Sequence, residues 1–163
     1  MPQTTNDKRQ ATNREPGTRN PEPGAGAAAA RPFRQGLFTF PVPEGPGGSL
    51  LGSRCRECGT AYFPPRQICP RCMKEGILDS LPLSRRGTLY TYTVIRQAPP
   101  RYPVPYAVGY VDLPEGVRVF AQLEGWEQRE LNMGEAMEVF FTTLRKDEGE
   151  GELVGYRFRP VSP

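Results

Sequence analysis

Two Cys-x-x-Cys pairs are the part of this sequence whose residue types and spacing predict chemistry. The cysteines are Cys55, Cys58, Cys69 and Cys72, and ten residues separate the two pairs. In each pair the thiolates can converge on one cation while the backbone N–H groups that follow point at the sulfurs, and Gly59 supplies the flexibility that such a turn needs. Four sulfur ligands fill a tetrahedron and leave no open position, so we predict one structural zinc ion per chain in a small zinc ribbon.

The alternative uses of these cysteines are a redox pair, two disulfides and an iron centre. A thioredoxin-like redox pair needs only one such motif. Two disulfides would fit a secreted protein, but residues 1–30 lack the apolar core of a secretion signal. A rubredoxin-type iron centre has the same four ligands as zinc, so iron stays an open alternative.

The composition of the chain offers little for catalysis. Its 163 residues include no histidine, which removes Ser–His and Cys–His nucleophile pairs and histidine metal ligands. All four cysteines of the chain belong to the predicted metal site. We therefore name no catalytic residue and expect no activity from the chain alone, with a single-chain enzyme kept as a second class of function.

The elements that surround the cysteines are expected to be short strands. We predict strands at 86–97, 105–113, 116–124, 136–144 and 153–159, where β-branched and aromatic residues are frequent. Pro114-Glu115-Gly116 predicts a tight turn inside a hairpin that runs from Tyr106 to Leu123. Only Glu127 to Leu131 could form a helical turn or two. The predicted fold class is all-β, with a zinc ribbon followed by a five-stranded OB-type barrel.

Four regions are expected along the chain. Residues 1–32 are predicted to be a disordered tail, since Thr, Asn, Arg, Pro, Gly and Ala follow one another there without a regular pattern. Residues 33–51 are an extended, apolar, Pro- and Gly-rich segment that either packs on its own barrel or docks on a partner chain. Residues 52–80 are the zinc ribbon, with its hairpin at 61–66, and residues 81–163 are the OB-fold domain.

Charge and hydropathy limit the other classes of function. The net charge is +3, and residues 81–163 carry ten basic and eleven acidic side chains, which disfavours nucleic acid as a partner. The alternative function is binding of single-stranded nucleic acid, because five aromatic residues of the barrel can stack on bases: Tyr90, Tyr92, Tyr106, Tyr110 and Phe120. No apolar run approaches the roughly 20 residues that span a bilayer, so we expect a soluble, cytoplasmic protein without membrane contact.

The motifs around the cysteines and in the first barrel strand resemble those of a known family. Residues 50–59 read Leu-Leu-Gly-Ser-Arg-Cys-x-x-Cys-Gly, residues 63–72 read Phe-Pro-Pro-Arg-x-x-Cys-Pro-x-Cys, and residues 87–94 read Gly-Thr-Leu-Tyr-Thr-Tyr-Thr-Val. Residues 105–113 and 158–160 agree as well. From residue 50 to residue 160 the chain resembles the acyl-CoA-associated OB-fold proteins with a rubredoxin-like zinc ribbon.

The resemblance implies an accessory subunit of acyl-CoA metabolism, such as the zinc-finger subunit of benzylsuccinyl-CoA thiolase. The expected partner is a thiolase-fold catalytic subunit that carries the nucleophile in a hetero-oligomer, with an acyl-CoA hydratase or an aldolase as the alternative partner. Such a subunit is thought to shape the complex and the passage of the acyl-CoA. A CoA thioester is therefore a candidate ligand of the complex.

Two further features are interpreted with the same partner in view. Four arginines near the cysteines are expected to offset the charge of −2 on a zinc ion with four thiolates, and contact with CoA phosphates is their alternative use: Arg54, Arg56, Arg66 and Arg71. The Pro-rich loop at 98–106 is stiff and carries two tyrosines. It is either a partner contact or a rigid connection between two strands.

Overall fold

β-Strands make up all of the regular structure in the described part of the chain. The structure is a computed structural model that describes residues 30–43, 47–100, 102–147 and 151–161. The strands, in chain order, are β1 (Arg31–Pro32), β2 (Leu51–Cys55), β3 (Ala61–Tyr62), β4 (Ile68–Cys69), β5 (Lys74–Glu75), β6 (Leu78–Pro82), β7 (Arg86–Ile95), β8 (Tyr106–Asp112), β9 (Arg118–Leu123), β10 (Ala136–Asp147) and β11 (Gly151–Pro160). No helix in these described ranges is long and apolar enough to cross a membrane.

The five strands from β7 to β11 close into a barrel. Neighbouring strands follow the order β7-β8-β9-β11-β10, and β10 returns to pair with β7. All of these pairings are antiparallel except that of β11 with β9, which is parallel. This is the strand order of an OB-type barrel, and the predicted fold class is confirmed.

Alternation of side chains along the strands explains why the barrel closes around a core. Val119, Ala121 and Leu123 of β9 point inwards, while Arg118 and Phe120, which alternate with them, are exposed. The largest fully buried side chains of the barrel come from all five of its strands: Phe158, Leu89, Met137, Val111, Val119 and Val139. A closed barrel leaves no long unpaired edge, so these apolar faces are covered without any helix.

The hairpin between β8 and β9 forms where the sequence places its turn. Gly116 has φ of +78°, a conformation that favours glycine, and its N–H donates to the carbonyl of Leu113 over 3.0 Å. The Leu113 N–H in turn donates to the carbonyl of Val117 over 2.9 Å. Residues 126–128 form a turn, at the place where one or two helical turns were expected.

Two small sheets lie before the barrel in the chain. β2 pairs with both β3 and β6, and β4 pairs with β5. The carboxylate of Glu115, in the β8–β9 turn, accepts hydrogen bonds from the N–H and hydroxyl of Ser84, each over 2.7 Å. Ser84 lies between β6 and β7, so this carboxylate ties the connection to the barrel.

Within the segment at 33–51, residues 37–39 pair with residues 49–51, so its described parts do not form the single extended stretch that the sequence predicted. Phe38 and Leu50 form a β-bridge, and the Leu51 N–H donates to the carbonyl of Leu37 over 2.8 Å. Leu37, Phe38 and Leu50 are each at most 5% exposed and belong to the common core. Of the two alternatives for this segment, packing on its own barrel is the one the structure contains.

One tyrosine of β11 joins the three parts of the molecule. The ring of Tyr156 lies 5.7 Å from that of Phe33, 6.4 Å from that of Phe38 and 6.1 Å from that of Phe63. Its hydroxyl donates to the carbonyl of Phe120 over 3.4 Å. The predicted tail lies outside the described residues up to residue 29, and at its end the structure differs from the prediction, because β1 pairs in parallel with β11.

Candidate metal centre

Each Cys-x-x-Cys pair forms the same turn, although only one of the two turns contains a glycine. The Gly59 N–H donates to the carbonyl of Cys55 over 2.9 Å, and the Met73 N–H donates to the carbonyl of Cys69 over 2.8 Å. Gly59 has φ of +71°, and Met73 has φ of +55°. The left-handed residue after the second cysteine redirects the chain, so both cysteines of a pair face one point.

The four sulfurs form a compact cluster. Their Sγ atoms all lie within 4.8 Å of one another, with 3.9 Å between Cys55 and Cys72 and 3.7 Å between Cys58 and Cys69. A tetrahedral ion with zinc–sulfur bonds of about 2.3 Å requires sulfurs about 3.8 Å apart, whereas a disulfide requires about 2.05 Å. The donor set and its spacing therefore fit a tetrahedral metal ion, and none of the four thiols is in a disulfide.

Burial and strand ends hold the cysteines in place. Cys55 ends β2 and Cys69 ends β4, and both are at most 1% exposed. Cys58 and Cys72 follow on the turns and are partly buried. A cluster enclosed on its four sulfur corners offers no position for a substrate, so the arrangement is that of a structural metal site rather than a catalytic one.

Hydrogen bonds from outside the cluster act on the sulfurs. The Tyr62 hydroxyl lies 3.4 Å from Cys69 Sγ, and this bond is the largest cause that lowers the pKa of the Cys69 thiol to about 6. Hydrogen bonding by Thr60, whose hydroxyl lies 3.3 Å from Cys58 Sγ, lowers the pKa of Cys58. Burial raises the pKa of the Cys72 thiol to about 12.

The sequence alone did not indicate Tyr62, Thr60 or Met73 as parts of the site. Tyr62 lies in the aromatic, Pro-rich hairpin between the cysteine pairs, and Thr60 follows Gly59. Residues that donate to metal ligands have no fixed spacing from those ligands. The signal that could have found Tyr62 is that a tyrosine in so small a ribbon needs a partner for its hydroxyl.

The four arginines are distributed unevenly around the cluster. Arg56 donates to the Asp79 carboxylate over 3.1 Å and to the carbonyl of Gly76 over 2.7 Å. The Arg66 guanidinium carbon lies 5.7 Å from the ring centre of Tyr62, and Arg54 and Arg71 are exposed. Arg56 thus braces the strand next to the first turn, and Arg66 stacks on the residue that donates to Cys69.

Comparison with known proteins gives the family. A model described as the ChsH2 rubredoxin-like zinc ribbon domain matches residues 46–78, and one described as the ChsH2 C-terminal OB-fold domain matches residues 81–142. A DUF35 domain-containing scaffold protein of Methanocaldococcus jannaschii is 35% identical over 115 residues, which are 69% of this chain and 82% of that protein. This chain belongs to the ChsH2-type DUF35 family. The resemblance stated from the sequence motifs is confirmed.

Two relatives of the DUF35 chain have names that refer to enzymes. The benzoylsuccinyl-CoA thiolase subunit BbsA of Thauera aromatica is 38% identical over 131 residues, which cover 79% of this chain and 88% of the relative. The solved Ltp2-ChsH2(DUF35) aldolase matches with a TM-score of 0.58 and 29% identity, over 69% of this chain and 84% of the other. The thiolase is named for benzoylsuccinyl-CoA, where the sequence resemblance had pointed to benzylsuccinyl-CoA.

Proposed function

We propose that this DUF35 protein is a non-catalytic, zinc-binding accessory subunit of a thiolase-type acyl-CoA enzyme complex. The observation that carries the proposal is the sequence similarity to the thiolase subunit BbsA, which extends over most of both chains. The partner supplies the nucleophile, since this chain has no histidine and its four cysteines all lie in the sulfur cluster. The small subunit shapes the complex and contacts the CoA thioester held by the partner.

The proposal assigns one zinc ion to Cys55, Cys58, Cys69 and Cys72. Support comes from the 3.7 and 3.9 Å sulfur separations, which match the edges of a zinc tetrahedron. The ion supplies folding free energy to a ribbon too small to bury a core of its own. Elemental analysis of the purified protein should give one zinc per chain, and iron with a visible absorption band would contradict this assignment.

The proposal also divides the chain into two domains and places the protein in the cytoplasm. Residues 52–80 act as the ribbon and residues 81–163 as the OB-fold domain. The complex works in the cytoplasm, where thiols stay reduced and can bind a metal.

An aldolase is the second candidate partner, because the structural match is to an aldolase complex. Single-stranded nucleic acid is less favoured, because two arginines on the aromatic side of the barrel are paired with acids. Arg118 donates to Asp112 over 2.6 and 2.8 Å, and Arg157 donates to Glu124 over 2.8 Å. Paired cations release few counterions from a phosphate backbone.

Purification of the tagged full-length protein from its native source tests the proposal. We expect a stable hetero-oligomer with a thiolase, and we expect thiolase activity in the complex but not in this subunit alone. Recovery with an aldolase would select the second candidate. Recovery as a monomer that converts acyl-CoA, or on single-stranded nucleic acid with steep salt dependence, would contradict the accessory role.

A further inference from the structure

Exposed aromatic residues are concentrated on one side of the barrel. Ten large apolar side chains are exposed among the described residues, and five of them lie together here. Tyr90, Tyr110 and Phe120 project from the outer surface of β7, β8 and β9, while Tyr102 and Val104 lie in the loop between β7 and β8. We call these five residues the aromatic face.

Contacts hold the three rings on the strands of the aromatic face in place. Tyr110 and Phe120 are direct cross-strand partners, and their ring centres are 5.1 Å apart. The guanidinium carbon of Arg118 lies 3.2 Å from the ring centre of Tyr90, and the guanidinium donates two hydrogen bonds to the Asp112 carboxylate. Side chains already fixed in this way lose little entropy when a partner binds, which is a property of interface hot spots.

An open groove continues from this face. It has a volume of about 960 Å³ and lies between the Pro-rich loop, β9 and β11. Its aromatic lining includes Tyr102, Tyr106, Phe120, Trp126 and Tyr156. A flat aromatic patch beside such a groove can receive the surface and a projecting segment of another protein.

Charge and area indicate the kind of partner that fits. Arg118 is paired with Asp112, so the guanidinium that lies over Tyr90 adds no unpaired charge to the aromatic face. Its five half-exposed side chains offer on the order of 400–500 Å², which is about half of one side of a standard protein interface. Apolar patches of this size on a protein surface are often functional, and this one fits an uncharged, apolar protein surface.

We propose that the aromatic face and its groove dock the catalytic subunit of the complex, through an apolar surface segment of that enzyme. This inference rests on the proposed function and names the surface that performs it. Leu37 and Phe38 of the segment at 33–51 are not available for this contact, because both are buried against the protein's own core.

The test compares two variants of the full-length, zinc-loaded protein. The double variant Tyr110→Thr, Phe120→Thr removes two rings and keeps residues that favour strands. Phe140→Thr is the matched control, because Phe140 is an outward aromatic of β10 that lies 5.1 Å under Arg159 and belongs to a different pocket. Affinity is measured by calorimetry for the acyl-CoA enzyme that co-purifies with the wild-type protein. We expect at least 100-fold weaker binding for the double variant and less than 3-fold for the control, with zinc content and melting temperature unchanged.

A photo-crosslinker provides a second measurement that does not depend on removing rings. With p-benzoylphenylalanine at position 120, the crosslinked peptide is expected to come from the catalytic subunit. Crosslinks only to a second copy of this chain or to nucleic acid would overturn the inference. Wild-type affinity of the double variant would overturn it while leaving the proposed function intact. Absence of any acyl-CoA enzyme from the wild-type preparation would overturn both.

Discussion

Met73 occupies a backbone conformation that suits glycine. Its counterpart in the first turn is Gly59, where an added Cβ would meet no atom within 4 Å. Any cost of a side chain at these two positions therefore comes from the backbone and not from crowding. Met73 is also 79% exposed, so its side chain contributes little packing.

We therefore expect substitutions at the two turns to differ in their effect on stability. Gly59→Ala should lower the free energy of unfolding by about 1 kcal/mol, because alanine resists positive φ. Met73→Gly should leave stability within about 0.5 kcal/mol of wild type, because relief of the backbone offsets the greater freedom of glycine in the unfolded chain. Denaturant unfolding of the zinc-loaded proteins measures both, and equal losses would contradict the backbone explanation.

The Tyr62 hydroxyl is the next single group with a testable role. It donates to Cys69, so it stabilises the thiolate that a metal ion requires. Tyr62→Phe keeps the ring under Arg66 and removes only the donor. We expect zinc affinity to fall roughly 10-fold or more in a chelator competition. Tyr92→Phe, in the barrel, is the control, and an unchanged affinity for Tyr62→Phe would exclude a role in metal binding.

At the scale of elements, the barrel could be predicted because its strands carry their own signals. β7, β8 and β9 begin and end within two residues of the predicted bounds, and the turn at 114–116 is where proline and glycine indicate it. β2 and β6 were not predicted, since Gly52, Ser53, Asp79 and Ser80 are poor strand formers. Their pairing depends on tertiary contacts, which a local pattern does not contain.

The fold of the segment at 33–51 also depends on tertiary contacts that the local sequence does not contain. Its prolines and glycines indicate that it is not a helix, but they do not say that Phe38 meets Leu50 and the ring of Phe141, 5.3 Å away. The sulfur site is the opposite case. The four cysteines of the cluster could be named from spacing alone, because two Cys-x-x-Cys pairs at this separation are typical of a metal site.

Phe38 anchors this segment to the barrel and is 3% exposed. Phe38→Ala should lower the free energy of unfolding by about 3–5 kcal/mol, because it leaves a cavity among four aromatic rings. Phe40→Ala is the control, since Phe40 is 36% exposed and should cost much less. Similar small losses for both variants, measured by urea unfolding, would show that the segment does not contribute to the fold.

Because Tyr156 is partly buried where the three parts of the molecule meet, we expect the stability of the fold to decrease at alkaline pH. Burial raises the pKa of Tyr156 to about 12, above its ordinary value of 10.0. The folded state therefore favours the protonated phenol, so this contribution is fully present below pH 10 and is lost as pH rises from 10 to 12. Between pH 10 and pH 12, the free energy of unfolding of Tyr156→Phe should therefore fall by roughly 2 kcal/mol less than that of the wild type. Identical profiles for wild type and Tyr156→Phe would contradict the assignment.

At the scale of the whole molecule, the sulfur cluster with its proposed zinc ion and the apolar core stabilise different parts of the chain. The knuckle strands β4 and β5 have two residues each, so they depend on the sulfur cluster rather than on buried area. The barrel has its own core, in which Val111, Val119 and Phe158 are fully buried. Loss of the metal should therefore act on the ribbon first.

Hydrogen exchange with and without a chelator tests this division. We expect the amides of Gly59 and Met73 to lose protection when zinc is removed, because the turns that bond them to Cys55 and Cys69 are held by the metal. Amides of β8 and β9 should keep their protection, since their ladder and core contain no metal ligand. Cys58→Ser should reproduce the pattern without a chelator, because one missing thiolate leaves the tetrahedron incomplete. Exchange of the barrel amides together with those of the turns would contradict this division, because the zinc ion would then stabilise the whole molecule as one cooperative unit. In that case a change at the metal would also affect the proposed docking surface on the barrel.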